Sequence, residues 1–135
     1  MFADLSILHR AIMDTLDTIY VEDDDQEAFI MRVGMRRQGI NILHVPDLTP
    51  ETLVRLQEPP YAQAVAVIFD AILGGQSGVA LAHALRMSGD ERPVFLLTAA
   101  ENPDPELLQQ HDIHYQRKPP NFERLARMIR DLSAG

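Results

Sequence analysis

The chain has 135 residues, of which 46% are hydrophobic, and a formal net charge of −8 at pH 7. This length and composition predict one globular domain, and no apolar run approaches the roughly 20 residues that a membrane helix needs. The acidic balance argues against binding to nucleic acid, because no basic stripe is present to neutralise phosphates. The absence of cysteine excludes disulfides and thiolate metal sites, and the first residues lack the pattern of a secretory signal. We therefore expect a cytoplasmic, stand-alone protein without a separate output domain.

The N-terminal segment carries apolar residues at helical spacing. They are Leu5, Leu8, Ile12 and Leu16. This pattern predicts a short amphipathic helix over residues 1–16, ahead of a main domain over residues 17–135. We expect the helix to cover the domain's own surface, and dimerisation through it is the alternative. The next stretch, residues 18–21, is rich in strand-forming side chains and runs directly into four consecutive acids at residues 22–25.

A helix is predicted over residues 26–38, stopped by Gly39, with its apolar side chains facing the core. These side chains are Phe29, Ile30 and Val33, together with Met31 or Met35. A short strand follows at residues 40–45. A further helix is predicted to start next, since Thr49 can cap it and Pro50 suits its first position.

The second half of the chain is organised around an almost unbroken apolar run at residues 64–70, which ends on Asp70. A run of this kind, followed by glycines, is typical of a strand buried on both faces at the centre of a parallel sheet. We expect a loop over residues 71–77. The remaining predicted elements are a helix at 78–87, a strand at 93–98, a helix at 104–110, a strand at 113–117 and a helix at 122–132. The last of these strands is more polar than the others, which places it at a sheet edge.

Five strands that alternate with helices imply right-handed crossovers and a parallel sheet covered by helices on both faces. The carboxyl ends of such strands share one edge of the sheet, and neighbouring strands lie about 5 Å apart. Charged or hydroxyl side chains follow four of the five predicted strands. They are Glu22 and Asp23 after the first, Asp70 after the third, Thr98 after the fourth and Lys118 after the fifth.

Together, these side chains predict a site that holds a phosphoryl group on Asp70. Carboxylates that converge without basic partners repel one another, and a hard divalent cation relieves this repulsion. Mg²⁺ fits because it is typically held by one or two carboxylates together with a phosphate and water. Lys118 adds a point charge for an anion, and Thr98 adds a hydrogen-bond donor. The five histidines show no metal-ligand spacing, and we expect them to be structural or surface residues.

Four segments of the chain carry these strand ends. They are Ile19-Tyr20-Val21-Glu22-Asp23-Asp24, the stretch from Val67 through Asp70 to Gly78, Leu96-Leu97-Thr98-Ala99, and Tyr115-Gln116-Arg117-Lys118-Pro119. In order and spacing, over roughly residues 17–133, they resemble the receiver domain of two-component response regulators, the CheY-like family. The resemblance implies a flavodoxin-like (CheY-like) three-layer α/β sandwich whose five parallel strands follow the order 2-1-3-4-5. The predicted N-terminal helix is an addition to that fold.

The resemblance assigns a phosphoacceptor and a metal site. Asp70 matches the phosphoacceptor, which attacks a phosphohistidine or a small phosphodonor. Asp23 and the backbone carbonyl of Ile72 match the direct Mg²⁺ ligands beside Asp70, and Glu22 matches the acid that acts through water. Gly74 stands where the family usually has proline, which loosens the loop after Asp70 without removing a ligand.

The resemblance also assigns the residues that hold and report the phosphoryl group. Lys118 matches the phosphate-binding lysine, whose peptide bond to the following proline is typically cis in this family. Thr98 matches the switch hydroxyl, and Tyr115 matches the aromatic side chain that turns inward when this hydroxyl engages the phosphoryl group. Gln116 and Arg117 replace a usual apolar pair, so we expect the last strand and its protein-contact face to be unusual.

We expect a bacterial receiver that catalyses only its own phosphorylation and dephosphorylation, and that is in this sense not an enzyme. A sensor histidine kinase or phosphotransfer protein would supply the phosphate. The output would be contact with another protein, made by a monomer or weak homodimer, without nucleic acid or membrane. Ile72 and Ala100 occupy positions whose polar side chains can orient attacking water in the family, so slow self-dephosphorylation is expected.

Two other functions are compatible with parts of the sequence. One is a phosphorylation-independent interaction module with a vestigial acidic site, which the intact Asp23, Asp70, Thr98 and Lys118 argue against. The other is a Mg²⁺-dependent aspartyl phosphatase. That chemistry needs a second acid two residues after the nucleophile, where this chain has Ile72.

Overall fold

A computed structural model of the protein describes residues 15–70, 72–73, 76–99, 105–110 and 112–134. The helix predicted over residues 1–16 falls almost entirely outside this part of the chain, and so do Ala100 and the glycine pair that follows Asp70. No helix among the described residues is both long enough and apolar enough to span a bilayer.

Strands and helices alternate along the described residues. The strands there are β1 (Leu16–Val21), β2 (Ile40–Val45), β3 (Ala66–Asp70), β4 (Ile72–Leu73), β5 (Gln76–Ser77), β6 (Val94–Thr98) and β7 (Ile113–Arg117). The helices there are α1 (Asp25–Arg36), α2 (Pro50–Arg55), α3 (Gly78–Met87), α4 (Pro105–Gln110) and α5 (Phe122–Ala134), with a 3₁₀ turn at Tyr61–Gln63. Leu16, the last residue of the predicted N-terminal helix, belongs to β1, because its N–H donates to the carbonyl oxygen of Gly39 (3.2 Å) beside β2.

The five long strands form one parallel sheet in the order β2-β1-β3-β6-β7. Counted along the five principal strands, this is the predicted order 2-1-3-4-5, with the polar strand β7 at an edge. Val21 pairs with Val45 on one side and Phe69 on the other, and Asp70 pairs with Leu97. The carboxyl ends of β1, β3 and β6 therefore lie level at one edge of the sheet.

Residues 71–77, expected as a loop, contain a short antiparallel hairpin. Ile72 pairs with Ser77, and Leu73 pairs with Gln76. In the sequence, two consecutive glycines separate the paired residues, a spacing that is typical of a hairpin. The hairpin brings the chain from the end of β3 directly to the start of α3.

Side chains alternate between the two faces of the sheet and build two hydrophobic cores. One core contains Ile19, Val67, Phe69 and Leu96, which pack against side chains of α3 and α4 such as Leu85 and Leu108. The other contains Tyr20, Ile68, Phe95 and Leu97, which pack against side chains of α1 and α5 such as Met35 and Ile129. The three-layer arrangement that the sequence predicts is therefore confirmed.

Polar side chains cap the starts of three helices. Asp24 accepts hydrogen bonds from two N–H groups in the first turn of α1 (2.8 and 3.3 Å). Thr49 caps α2 ahead of Pro50, as predicted, and Ser77 caps α3. Each cap satisfies backbone donors that would otherwise lack partners.

The face of α1 that packs on the sheet differs from the predicted one. Phe29, Ile30 and Val33 were expected in the core, but they are 62%, 58% and 38% exposed. Met31 and Met35, the alternatives named for the core side, are both buried, together with Ala28. The prediction was wrong because apolar residues occur around most of this helix, so two different faces satisfy the helical spacing. The result is an apolar surface on α1, formed by Phe29, Ile30 and Val33.

A partly buried arginine connects several segments at the end of the sheet opposite the acidic residues. The guanidinium of Arg92, just before β6, donates to the carboxylate of Asp90 (2.6 Å) and to the backbone carbonyl oxygens of Leu56, Tyr61 and Ala64 (3.0, 2.6 and 3.3 Å). Burial alone would raise the pKa of Asp90, but the hydrogen bonds from Arg92 outweigh it and hold that pKa below its ordinary value. Arg92 thus links three segments that precede β3 to the start of β6.

Replacing Arg92 with methionine should lower the free energy of unfolding by about 3 kcal/mol, because it leaves a buried carboxylate and three carbonyls without their donor. Urea denaturation followed by circular dichroism measures this change. Arg127→Met is the matched control. Arg127 pairs with Glu123 at the surface, where the two side chains are 66% and 73% exposed, and its loss should cost no more than about 0.5 kcal/mol. Equal stability of the two variants would contradict the role assigned to Arg92.

Candidate functional site

The predicted site residues lie at the carboxyl edge of the sheet. Asp70 is the last residue of β3, and its side chain is 14% exposed. Glu22 directly follows β1, whose last residue pairs with the residue before Asp70. Register between the two strands thus places the two acids side by side.

Glu22 is buried at 1% exposure. Its carboxyl group accepts hydrogen bonds from the hydroxyl of Tyr20 (3.1 Å) and from the N–H of Asp24 (3.0 Å). Burial, followed by the hydrogen bond to Asp70, raises the pKa of Glu22 to about 8, while the N–H of Asp24 acts in the opposite direction. At neutral pH this acid is therefore mostly protonated.

A third acid, Glu27, reaches the same place from the first turn of α1. Carboxylate oxygens of Glu22, Glu27 and Asp70 all lie within 4.8 Å of one another. Asp23, predicted as a direct metal ligand, is exposed, and it is not a member of this group of three. Glu27 was not predicted from the sequence, because helical spacing does not tell which side of α1 faces this edge of the sheet.

Lys118 lies between two of these acids. Its Nζ is 2.8 Å from Oδ2 of Asp70 and 3.3 Å from Oε2 of Glu27. Burial alone would lower the pKa of Lys118, but the hydrogen bond and charge of Asp70, and then those of Glu27, hold it above its ordinary value. The peptide bond between Lys118 and Pro119 is cis, as the resemblance implied.

Lys118 is the only lysine in the sequence, and the other eleven of the 12 basic Lys and Arg residues are arginines. The two side chains are not equivalent. Lysine presents a compact point charge with three donors, whereas the guanidinium of arginine is a broad planar fork. The one position where this chain uses an ammonium group is the position that contacts Asp70.

The two predicted switch residues lie on β6 and β7. Thr98, at the end of β6, is buried, and its carbonyl oxygen accepts a hydrogen bond from the backbone N–H of Lys118 (2.8 Å). Tyr115 pairs with Leu96 on β7 and is 44% exposed. Ile72 lies in β4, where its carbonyl belongs to the hairpin that follows Asp70. The structure thus brings Glu22, Asp70 and Lys118 into contact distance and places Thr98 on the neighbouring strand.

Two further residues support the site. Tyr20 was predicted only as a strand residue. Its side chain is buried, and its hydroxyl donates a hydrogen bond to the carboxyl group of Glu22. His44 was expected to be structural or superficial, and its Nε2 lies 2.6 Å from the backbone oxygen of Glu22. Because a carbonyl oxygen can only accept, this nitrogen of His44 carries the proton. The contacts from Tyr20 and His44 both hold Glu22 in place.

An apolar cleft of about 320 Å³ adjoins the acidic residues. It lies between α1 and the turn after β7, with Glu27 and Lys118 on its rim and Ile30, Leu97 and Phe122 among its other lining residues. Ile30 also belongs to the apolar surface on α1. The acidic site and that surface are therefore continuous.

Chemically, this edge can hold a cation and a transferred anionic group. Three clustered carboxyl groups provide oxygen ligands of the kind that Mg²⁺ prefers. Lys118 orients Asp70 and supplies positive charge next to it. A half-buried carboxylate held in this way can act as a nucleophile toward phosphorus.

No model of a protein family matches the chain, and no curated protein matches it. Solved structures do match. The receiver domain of the Francisella response regulator 1452 is 21% identical, with a TM-score of 0.73 over 88% of this chain and 97% of that one. Chemotaxis protein CheY4 of Vibrio cholerae is 18% identical, with a TM-score of 0.72 over 87% of this chain and 98% of that one. A response regulator receiver domain protein from Clostridium thermocellum is 15% identical, with a TM-score of 0.74 over 88% of this chain and 94% of that one.

These similarities span nearly the whole of each solved domain, although sequence identity is low. They agree with the parallel sheet in the order β2-β1-β3-β6-β7 and with helices on both of its faces. The resemblance stated from the sequence motifs is therefore confirmed in structure, and the chain has the receiver-domain fold of the CheY-like response regulators.

Proposed function

We propose that this protein is a receiver of a two-component system, which accepts a phosphoryl group on Asp70 in the presence of Mg²⁺. The observation that carries the proposal is the contact between Nζ of Lys118 and Oδ2 of Asp70 (2.8 Å), made beside the buried acid Glu22 in a receiver fold. The protein works in the cytoplasm and acts on itself, so that it does not turn over a separate substrate. Its output is contact with another protein.

The acidic residues suit a divalent cation. Glu22, Asp23 and Asp70 would hold it together with the backbone carbonyl of Ile72, and Glu27 adds a further carboxylate to the set. The donor chemistry fits, because all of these ligands are hard oxygens and the three clustered carboxyl groups have one ammonium group between them. When bound, Mg²⁺ neutralises charge on the phosphoryl oxygens during transfer.

The residues of the chain then have separate tasks. A carboxylate oxygen of Asp70 attacks phosphorus, the bond from phosphorus to the donor nitrogen or oxygen breaks, and the electron pair of that bond leaves with the donor. Lys118 keeps its proton and stabilises the charge on the transferred group. Thr98 donates a hydrogen bond to that group, and Tyr115 carries the change to the surface of β7.

The apolar surface on α1 is where we place the protein that donates phosphate. It adjoins the cleft beside Asp70, and its three large apolar side chains are all exposed. A sensor histidine kinase or phosphotransfer protein that covers it would bring a phosphohistidine to the carboxyl edge of the sheet. An exposed apolar surface of this kind is a common mark of a protein contact.

Incubation with acetyl phosphate and Mg²⁺ should add one phosphoryl group to the intact protein, and beryllofluoride with Mg²⁺ should shift backbone NMR signals around Asp70, Thr98 and Lys118. Intact-mass measurement and NMR report the two results. Asp70→Asn keeps the size of the side chain and removes the nucleophile, so it should show neither change. Failure of the unaltered protein to respond to both reagents would overturn the proposal in favour of a phosphorylation-independent interaction module.

Glu22→Gln should stabilise the metal-free protein at alkaline pH and weaken its binding of Mg²⁺. The pKa of Glu22 is about 8 in the folded protein against an ordinary value of 4.5, so the folded state binds the extra proton and its stability falls as pH rises from 5 to 8. Glutamine is neutral at every pH, so the stability of the variant does not fall in this way. Between pH 5 and pH 9, its free energy of unfolding should therefore rise by at least about 1 kcal/mol relative to that of the unaltered protein.

Urea denaturation in EDTA at several pH values measures the first effect, and calorimetric titration with MgCl₂ measures the second. The matched control is Glu91→Gln, an exposed acid at the opposite edge of the sheet. A constant difference in stability between Glu22→Gln and the unaltered protein across this pH range would contradict the assignment of the raised pKa to Glu22.

Ile30→Lys should slow phosphotransfer from a histidine-phosphorylated donor protein by about tenfold, while phosphorylation by acetyl phosphate keeps its rate. Lysine is a good helix former, so the change removes apolar contact without disturbing α1. Val54→Lys on α2 is the matched control, because Val54 is 61% exposed and Ile30 is 58% exposed. A donor that phosphorylates the unaltered protein is chosen first, and both rates are followed by intact mass. Equal rates of transfer to the two variants would contradict the assignment of α1 as the docking surface for the donor.

A further inference from the structure

Glu27 reaches the acidic site from α1 and contacts the ammonium group that also contacts Asp70. We propose that Glu27 is a positioning residue, which competes with a phosphoryl group on Asp70 for Lys118 and so shortens the time for which that group is retained. The inference rests on the proposed function and concerns the regulation of the same site. It names a residue that neither the motifs nor the strand ends had singled out.

The position of Glu27 is fixed by the helix that carries it. Its backbone N–H donates to Oδ1 of the cap residue Asp24 (3.3 Å), which anchors the first turn of α1 at the sheet edge. From there, Oε2 of Glu27 reaches to 3.3 Å from Nζ of Lys118. The side chain of Glu27 is 45% exposed and that of Lys118 is 24% exposed, so Glu27 approaches the ammonium group from the solvent side. Asp70 holds the same ammonium group from the protein side.

Charge decides what happens when Asp70 carries a phosphoryl group. Such a group has about two negative charges, and Lys118 must turn toward its oxygens to stabilise it. Glu27 holds the same ammonium group, and its carboxylate lies close enough to Asp70 to repel the added charge. The phosphorylated form therefore loses part of the stabilisation that an unshared lysine would supply.

The same carboxylate has the opposite effect on a cation. A negative group within 4.8 Å of the carboxyl oxygens of Glu22 and Asp70 attracts Mg²⁺. Glu27 should therefore strengthen cation binding and weaken phosphoryl retention. These opposite effects on cation binding and phosphoryl retention distinguish the proposed role from a merely structural one, because a loosened site would hold both the cation and the phosphoryl group less well.

The test uses the full chain with Glu27→Gln, which keeps the shape of the side chain and removes its charge. After removal of acetyl phosphate, the phosphorylated variant should persist about threefold longer than the unaltered protein, and Mg²⁺ should bind about threefold more weakly. Intact mass over time and calorimetric titration with MgCl₂ give the two values. Glu27→Asp, with its charge on a shorter side chain, should fall between the two proteins. Glu91→Gln changes net charge equally at the far edge of the sheet and should match the unaltered protein in both values.

The single lysine gives a separate readout that needs neither metal nor phosphoryl group. In protein labelled only at lysine with ¹⁵N, the ammonium signal of Lys118 should move in Glu27→Gln and stay in place in Glu91→Gln. If the Lys118 signal does not move in Glu27→Gln, the contact between Glu27 and Lys118 is contradicted. If the signal moves but the phosphoryl lifetime is unchanged or shorter, the proposed competition is overturned. If the unaltered protein accepts no phosphoryl group, the inference falls together with the proposed function, and the lysine signal still shows whether the contact exists.

Discussion

The arrangement at the carboxyl edge of the sheet depends on one ammonium group, that of Lys118, which lies among three clustered carboxyl groups. Three carboxylates within 4.8 Å cannot all stay ionised without compensation, and the molecule compensates in two ways. Burial keeps Glu22 mostly protonated near neutral pH, and Lys118 pairs with both Asp70 and Glu27. A phosphoryl group on Asp70 would add negative charge to this cluster, and a bound cation would offset it.

This arrangement depends on the sheet that supports it. Glu22 and Asp70 are neighbours because β1 and β3 are adjacent parallel strands in a register that ends at the same level. Lys118 comes within reach because its backbone N–H continues the pairing between β7 and β6, at the carbonyl of Thr98. At the opposite edge, Arg92 joins the segments that enter β3 and β6. The positions of Glu22, Asp70 and Lys118 thus follow from strand pairing, whereas Glu27 is positioned by α1.

Local rules explain why most of this fold could be predicted from the sequence. Central parallel strands are buried on both faces, so the run that ends at Asp70 is apolar throughout and easily recognised. Thr49 followed by Pro50 has one favourable use, the start of a helix, and the structure has a helix there. Because parallel strands end at a common edge, the convergence of Glu22, Asp70 and Lys118 also followed from the order of the elements.

Rotation about a helix axis was less predictable. Around α1, two apolar faces compete, and only packing against the sheet decides that Met31 and Met35 are buried while Phe29 and Ile30 are exposed. The same rotation turns Glu27 toward Lys118. The apolar surface and the third acid were therefore missed for one reason. A periodic pattern tells which residues share a face, but it does not tell which face meets the sheet.

The last strand shows where a change at Asp70 can leave the site. β7 lies at the edge of the sheet, directly before Lys118, and it carries Gln116, one of the two residues predicted to make this strand unusual. Gln116 is buried, its Nε2 is 3.2 Å from the sulfur of Met128, and its Oε1 has no hydrogen-bond partner among the described residues. A buried carbonyl without a donor costs free energy, and a thioether is a weak acceptor. β7 is therefore held less firmly than an apolar strand would be. Because Lys118 directly follows β7 and the half-exposed Tyr115 lies in its middle, a new partner for Lys118 would act on this less firmly held strand.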